Sequence, residues 1–239
     1  MVLYKKKSAS LTGADHEHPE WGNAWVWVAL DPITKLIIHV VIGKRNEVQA
    51  KLFVSGLVGK LSGSPPLFSS DELPHYQTAL AGCYSSFIPV ASTGKRGRPQ
   101  KPIVQIDPEL KYVTVHKTRD NGRVVRVERR IVFGKEQDIN HILENSPVSQ
   151  AINTSFVERN NLTLRQHSRR LTRKTNGFSK ELRNLEAQVI LVVAYYNFVL
   201  SHGALKIKGQ GERTPAMAAQ LTDHKWSMSE LLTYRIPDN

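Results

Sequence analysis

The chain has 239 residues, and 33 lysines and arginines against 21 acidic residues give it a formal net charge of +12. That length can bury one large core or two small ones, and an apolar fraction of 40% excludes a chain that is disordered throughout. The single cysteine, Cys83, excludes a disulfide framework and a cysteine-based zinc site within this chain. The excess of positive charge predicts a polyanionic partner, with nucleic acid as the first candidate.

Membrane insertion is not expected from the hydropathy pattern. No apolar run reaches the roughly 18–20 residues that span a bilayer, and the basic start Met1–Lys7 is not followed by the apolar region of a signal peptide. The longest apolar run, Val189–Leu200, contains Asn197 and indicates a buried helix. We therefore expect a cytoplasmic protein without a membrane partner.

The first third of the chain has the pattern of a mixed α/β layer fold. Trp25–Leu30 and Lys35–Ile42 are rich in β-branched and aromatic residues, and they predict a hairpin that is buried on both faces. Apolar spacing over Glu47–Leu61 predicts a helix, and a short apolar run follows at 65–70. The resulting order is strand, strand, helix, strand.

The middle third differs in composition. Ser92–Pro102 is rich in glycine, proline and basic residues, which is typical of a mobile linker. Its Lys95-Arg96-Gly97-Arg98-Pro99 core fits either a hook in the DNA minor groove or a solvated linker. Lys111–Arg119 and Arg123–Phe133 then flank Asp120-Asn121-Gly122, a strong signal for a hairpin turn.

From Asn153 onward the sequence predicts helices. A basic amphipathic stretch runs to about Arg173, and an apolar-faced helix follows over Ser179–Ser201. Thr214-Pro215 and the capping pattern Ser227-x-x-Glu230 predict the starts of two short terminal helices.

Two acidic residues stand where they could carry chemistry. Asp71 ends an apolar strand, a place where α/β sheets bind ligands, although an Asp that opens the bend Asp71–Pro74 is the more usual role of such a residue. Glu158 fits either a capping box with Ser155 or a metal ligand. Asn161, Leu162 and Arg165 follow Glu158 at three, four and seven residues, so all four share one side of a helix.

Basic residues are concentrated around this helix and on the predicted hairpin. Few acidic residues balance Arg159, Arg165, Arg169, Arg170, Arg173 and Lys174, which favours DNA binding over a merely solvated face. The hairpin carries Lys117, Arg119, Arg123, Arg126, Arg129 and Arg130, which we interpret as a clamp on DNA. The nine histidines show no metal-ligand spacing, so no zinc centre is expected.

Several segments together resemble the insertion-sequence-one type of bacterial transposase. The second and third strands of that family are similar to residues 27–36 and 43–45, and its second catalytic strand to Phe-Ser-Ser-Asp-Glu-Leu-Pro-His-Tyr at 68–76. Its acidic helix is similar to Ser-Phe-Val-Glu-Arg-Asn-Asn-Leu-Thr-Leu-Arg-Gln-His at 155–167. The resemblance continues through 170–180, 194–199 and 213–219 and spans nearly the whole chain.

The resemblance implies a ribonuclease H-like mixed sheet with flanking helices, a β-hairpin insertion and a helical C-terminal region. It implies a DDE site in which three carboxylates hold two Mg²⁺ or Mn²⁺ ions for DNA cleavage and strand transfer. By position, Asp71 is the second acid and Glu158 the third, and Arg165 contacts the DNA backbone, with Asn161 and His167 as weaker neighbours. The implied partners are the terminal inverted repeats and target DNA, bound by an oligomer in a bacterial or archaeal nucleoid.

The first acid of the family has no counterpart in the segments that match. Relatives carry it on the opening strand, before the segment that Met1–Lys7 resembles, and the first aspartate here is Asp15, in a loop. Asp31 ends the next strand and is expected in a hairpin turn. We therefore expect a chain that lacks its first catalytic acid and any upstream DNA-binding region.

The predicted organisation has three parts and leaves two functions open. Residues 1–90 form the first part of the core, 91–150 the linker and hairpin insertion, and 151–239 the acidic helix and C-terminal helices. The first function is a metal-dependent DDE transposase. The alternative is a catalytically inactive DNA-binding remnant or inhibitor, and a structural nucleoid protein is a third, lesser possibility.

Overall fold

The computed structural model describes residues 2–4, 22–89, 101–172, 176, 177, 179, 181–209 and 211–235. The chain divides into two compact units, one formed by Asn46–Thr154 and the other by Met1–Arg45 together with Ser155–Asn239. The architecture is α/β, with a mixed sheet and flanking helices, as the sequence predicts. The described strands form three separate sheets.

The unit that joins the two ends of the chain contains an antiparallel sheet and most of the helices. The sheet has the order β1-β2-β3, from strands β1 (Val2–Tyr4), β2 (Gly22–Leu30) and β3 (Ile37–Gly43). The helices are α4 (Ser155–His167), α5 (Leu182–Ala194), α6 (Pro215–Ala218) and α7 (Met228–Thr233), with a 3₁₀ turn at Arg169–Leu171 and a π-helical turn at Tyr195–Val199.

The predicted hairpin is confirmed as β2 and β3, but it is not buried on both faces as expected. Of the β3 residues only Ile37 is buried, and the other six are half-buried. The core of this unit packs Ala24 and Ile37 against helices α4 and α5, through residues that include Leu164, Leu185 and Val189.

Helix α5 and its continuation carry the strongest apolar character in the chain. The segment Leu182–Leu205 is long and apolar enough to cross a membrane by length and composition, with 28% of its most apolar window buried. Leu185, Val189, Val192 and Tyr196 belong to the core of the unit, so one side of the segment packs within the protein. The predicted helix is confirmed, with a π-helical end, but it is buried on one side only, since Ile190 and Leu191 are 61% and 40% exposed.

The polar residue within that apolar run has a defined role. Asn197 is buried; its side-chain amide donates to the Ile37 carbonyl and its side-chain oxygen accepts from the Ile37 amide, both at 3.0 Å. The side chain therefore substitutes for a neighbouring strand at the first residue of β3 and satisfies two backbone groups that burial would otherwise leave without partners.

The second unit contains a mixed sheet of order β4-β7-β8. Its elements in chain order are α1 (Glu47–Val58), β4 (Leu67–Ser70), α2 (Pro74–Cys83), β5 (Ser85–Ile88), β6 (Ile103–Ile106), β7 (Lys111–Asp120), β8 (Arg123–Phe133) and α3 (Glu136–Glu144). Strand β4 runs parallel to the first four residues of β7, and β7 pairs antiparallel with β8. Strands β5 and β6 form a separate two-stranded ribbon.

The hairpin of β7 and β8, Lys111–Phe133, is named the arm from here on. Its turn residues Asn121 and Gly122 have φ angles of 45° and 80°, as a tight type I′ turn requires, so the turn prediction is confirmed. Val113 and Val115 at the base of the arm pack with Ile139 of α3 and with Ile152. The base of the arm is thus part of the core of its unit.

Candidate functional site

Asp71 lies directly after β4, at the carboxyl end of the strand, and is exposed. Ser70, the residue before Asp71, makes two hydrogen bonds. Its hydroxyl donates to the Asp71 carbonyl at 2.6 Å and lies 2.7 Å from the Tyr112 hydroxyl. Either hydroxyl can donate in the bond between Ser70 and Tyr112. Burial raises the pKa of Tyr112, and the bond to Ser70 partly offsets that shift.

Glu72, the residue after Asp71, contacts both strands of the arm. One carboxylate oxygen of Glu72 lies 2.5 Å from His116 Nδ1 on β7, and the other lies 3.0 Å from the Arg130 guanidinium on β8. Arg130 also pairs with Glu128 at 2.9 Å, and Arg126 pairs with the same carboxylate at 2.7 Å. The hydrogen bond from Arg130 and the charge of Arg126 lower the pKa of Glu128, so a continuous ion-pair network runs from Glu72 along one face of the arm.

Glu158 lies on α4 in the other unit and is exposed. Helix α4 begins at Ser155, and Glu158 lies in its first turn, so the capping interpretation of Glu158 stays a prediction too. The metal-ligand interpretation of Glu158 stays a prediction.

The rest of α4 separates into a buried and an accessible side. Asn160 and Leu164 are buried, whereas Leu162 is 53% exposed and Asn161 and Arg165 are half-buried. The predicted set of Glu158, Asn161, Leu162 and Arg165 therefore lies on the accessible side of the helix, as the spacing requires.

The Asp31 carboxylate is engaged within its own turn. One oxygen accepts from the Ile33 amide at 3.0 Å, and the other accepts from the Thr34 amide at 3.1 Å and from the Thr34 hydroxyl at 2.5 Å. The same turn holds Lys35 with a φ angle of 62° and its Nζ 4.0 Å from the ring centroid of Phe156. The expected hairpin-turn position of Asp31 is confirmed, and it gives this carboxylate a structural role.

The predicted DNA-contacting cations lie in several places. Lys117, Arg119 and Arg123 lie on the arm, where Arg119 donates to the Gly122 carbonyl at 3.4 Å. Arg169 and Arg170 are exposed in the 3₁₀ turn, and Arg170 donates to the buried Ser179 hydroxyl at 3.3 Å. Arg173 lies outside the described residues, as do Asp15 and most of the predicted linker.

Carboxylate oxygens suit Mg²⁺ and Mn²⁺, and Asp71 and Glu158 are both exposed residues. Within the described ranges, no group of three or more histidine, cysteine, aspartate or glutamate side chains could hold a metal ion. The donor chemistry of the two acids fits a divalent cation, while a complete three-carboxylate site is not assembled by the residues that the structure describes.

Sequence reasoning did not find the partners of the Asp71 loop. Glu72, Tyr112, His116 and Arg130 are brought together by the parallel pairing of β4 with β7, which joins strands that are distant in the chain. The sequence did contain one indication of these partners: in Ser69-Ser70-Asp71-Glu72, a second acidic residue follows the end of the strand.

Comparison with protein-family models matches residues 135–198 to the IS1 transposase family. The matched segment contains all of α3, α4 and α5, and therefore Glu158, Asn161 and Arg165. Neither curated proteins nor solved structures gave a significant match. Over residues 135–198, the match confirms the resemblance that the acidic helix indicated.

Proposed function

From the premise that this chain is related to the IS1 transposases through residues 135–198, we propose that it is the catalytic part of a DDE transposase, which cleaves and joins DNA strands. The observation that carries this proposal is the matched α4 helix, which exposes Glu158 and presents Asn161 and Arg165 on the same side. The order of strands and helices is compatible with a ribonuclease H-like core, which we propose as the fold.

Asp71 and Glu158 are the proposed metal ligands. Mg²⁺ or Mn²⁺ bound there would supply an activated oxygen nucleophile and stabilise the charge that develops at phosphorus. Other residues of the chain would hold and orient the DNA. Arg165 follows Glu158 by seven residues, or about two helical turns, so it shares the same side of α4, and we propose that it holds the phosphate backbone near the cut.

DNA is the proposed partner along further surfaces. The arm presents Lys117, Arg119 and Arg123, and the 3₁₀ turn presents Arg169 and Arg170. Each cation that neutralises a phosphate releases condensed counterions, so we expect affinity to fall steeply with salt. We propose the inverted repeats of the element and target DNA as ligands, bound by at least two copies of the chain in the bacterial or archaeal cytoplasm.

The test is metal-dependent cutting of DNA by the product of the complete open reading frame. With a substrate that carries the terminal repeat, Mn²⁺ should support nicking and a chelator should abolish it. Glu158→Gln should abolish nicking with DNA affinity retained. Glu144→Gln, at the exposed end of α3 within the matched segment, is the control and should cut normally.

Binding without cutting would overturn the catalytic proposal. If the wild-type protein binds DNA with a steep salt dependence but never cuts it, the inactive remnant or inhibitor describes it better. Equal losses from Glu158→Gln and Glu144→Gln would contradict the assigned role of Glu158.

A further inference from the structure

We infer that Glu72 is a positioning residue, which fixes the Asp71 loop to the arm and so sets the place of the Asp71 carboxylate. The inference rests on the proposed function for its catalytic consequence, while the attachment itself is a property of the fold. Asp71 is exposed, and both of its neighbours in the chain bind the arm.

The attachment has two points on opposite sides of Asp71. On one side, the Ser70 hydroxyl lies 2.7 Å from that of Tyr112, which is 1% exposed in the sheet. On the other, Glu72 bridges His116 at 2.5 Å and Arg130 at 3.0 Å, one on each strand of the arm. A loop residue held at both neighbours has little freedom to move unless the arm moves with it.

The register of the arm decides which face holds the loop. Thr114 pairs with Arg130, His116 with Glu128 and Thr118 with Arg126, and residues paired in this way share one face of a hairpin. Lys117 and Arg119 pair with Val127 and Val124 and therefore lie on the opposite face. The arm thus has an ion-paired face toward Glu72 and a second face that carries Lys117 and Arg119.

Glu128 provides a matched control for Glu72. Both carboxylates bind Arg130, at 2.9 and 3.0 Å. Their side chains are similarly exposed, at 27% and 30%. Only Glu72 is adjacent to Asp71. Loss of either carboxylate removes an ion pair from the same arginine, but only the loss of Glu72 releases the catalytic loop.

The experiment measures amide hydrogen exchange in peptides that cover residues 68–75 of the full-length protein, without metal or DNA. Glu72→Gln should speed exchange in these peptides by about twofold to fivefold, the range that ion pairs of this exposure support. Glu128→Gln should leave their exchange unchanged. Tyr112→Phe, which removes only the hydroxyl at the other attachment, should speed it as well, and it provides a second test if Glu72→Gln fails to fold.

Kinetics then separate positioning from a purely structural role. In a protein that cuts DNA, Glu72→Gln should lower the rate at saturating DNA by about twofold to fivefold and leave KM unchanged. Exchange that is unchanged in both Glu72→Gln and Tyr112→Phe, or that rises equally in Glu128→Gln, would overturn the attachment. Faster exchange with an unchanged cutting rate would overturn the positioning role. If the wild-type protein never cuts, the proposed function fails, and the exchange data still decide whether Glu72 holds the loop.

Discussion

The loops that follow β2 and β4 each begin with an aspartate, and different contacts support the two loops. In the β2 loop the Asp31 carboxylate accepts three hydrogen bonds from Ile33 and Thr34, so the side chain stabilises the loop. In the β4 loop the neighbours of Asp71 make the stabilising contacts with the arm, and Asp71 itself is exposed. The β2 loop is thus supported through its aspartate, and the β4 loop through the neighbours of its aspartate.

The two loops also differ in how residues from distant parts of the same unit support them. Asn197 fixes the end of the β2 loop from α5's π-helical extension through the backbone of Ile37. Tyr112, His116 and Arg130 support the β4 loop through side chains alone. We therefore expect the β2 loop to matter for stability and the β4 loop to matter for activity.

The largest expected effect is on cutting by Asp71→Asn. If Asp71 holds a catalytic metal ion, its loss should reduce DNA cutting by about a thousandfold or more, because such ions contribute several kcal/mol to transition-state stabilisation. The free energy of unfolding should change by less than about 0.5 kcal/mol, as is usual for an exposed side chain. A large loss of stability in Asp71→Asn would remove the contrast with Asp31.

The next largest effect is expected on the free energy of unfolding, when the side chain that supports the β2 loop is removed. Asn197→Ala should lower the free energy of unfolding by about 2–4 kcal/mol, because it leaves the buried amide and carbonyl of Ile37 without partners. Asn184→Ala, which removes an exposed α5 amide bonded to Glu181, is the control and should change it by about 0.5 kcal/mol or less. Denaturant unfolding monitored by circular dichroism measures both.

A smaller stability effect is expected at Asp31 itself. Asp31→Ala should cost about 1–2 kcal/mol, the range found when a side chain that caps backbone amides is removed. Its cutting activity, normalised to the folded fraction, should equal that of the wild type. Loss of cutting in fully folded Asp31→Ala would mean that this carboxylate, and not only Asp71, serves the reaction.

The sequence predicted local structure better than it predicted these supports. The Asn121-Gly122 turn, the capped starts at Thr214 and Ser227 and the helices α1, α4 and α5 follow from turn chemistry, caps and periodicity. Helices α2 and α3 were not predicted, because they are short and bury few side chains, Ala79 and Leu80 in α2 and Ile139 in α3. The sequence identified individual residues of the site. It did not predict the Glu72 network, because that network depends on the pairing of β4 with β7, and no local pattern encodes this pairing.

The smallest expected effect separates the two faces of the arm. Arg119→Gln should reduce the slope of log affinity for DNA against log salt by about 0.9, the value for one phosphate contact, and should leave hydrogen exchange over residues 68–75 unchanged. Arg126→Gln is the matched control on the opposite face, where its guanidinium pairs with Glu128 at 2.7 Å, and its salt slope should stay closer to that of the wild type. Fluorescence anisotropy titrations with a labelled duplex at several salt concentrations measure the slope. If Arg126→Gln lowers the slope as much as Arg119→Gln does, DNA contacts the ion-paired face too, and DNA binding would then compete with the contacts that hold the Asp71 loop.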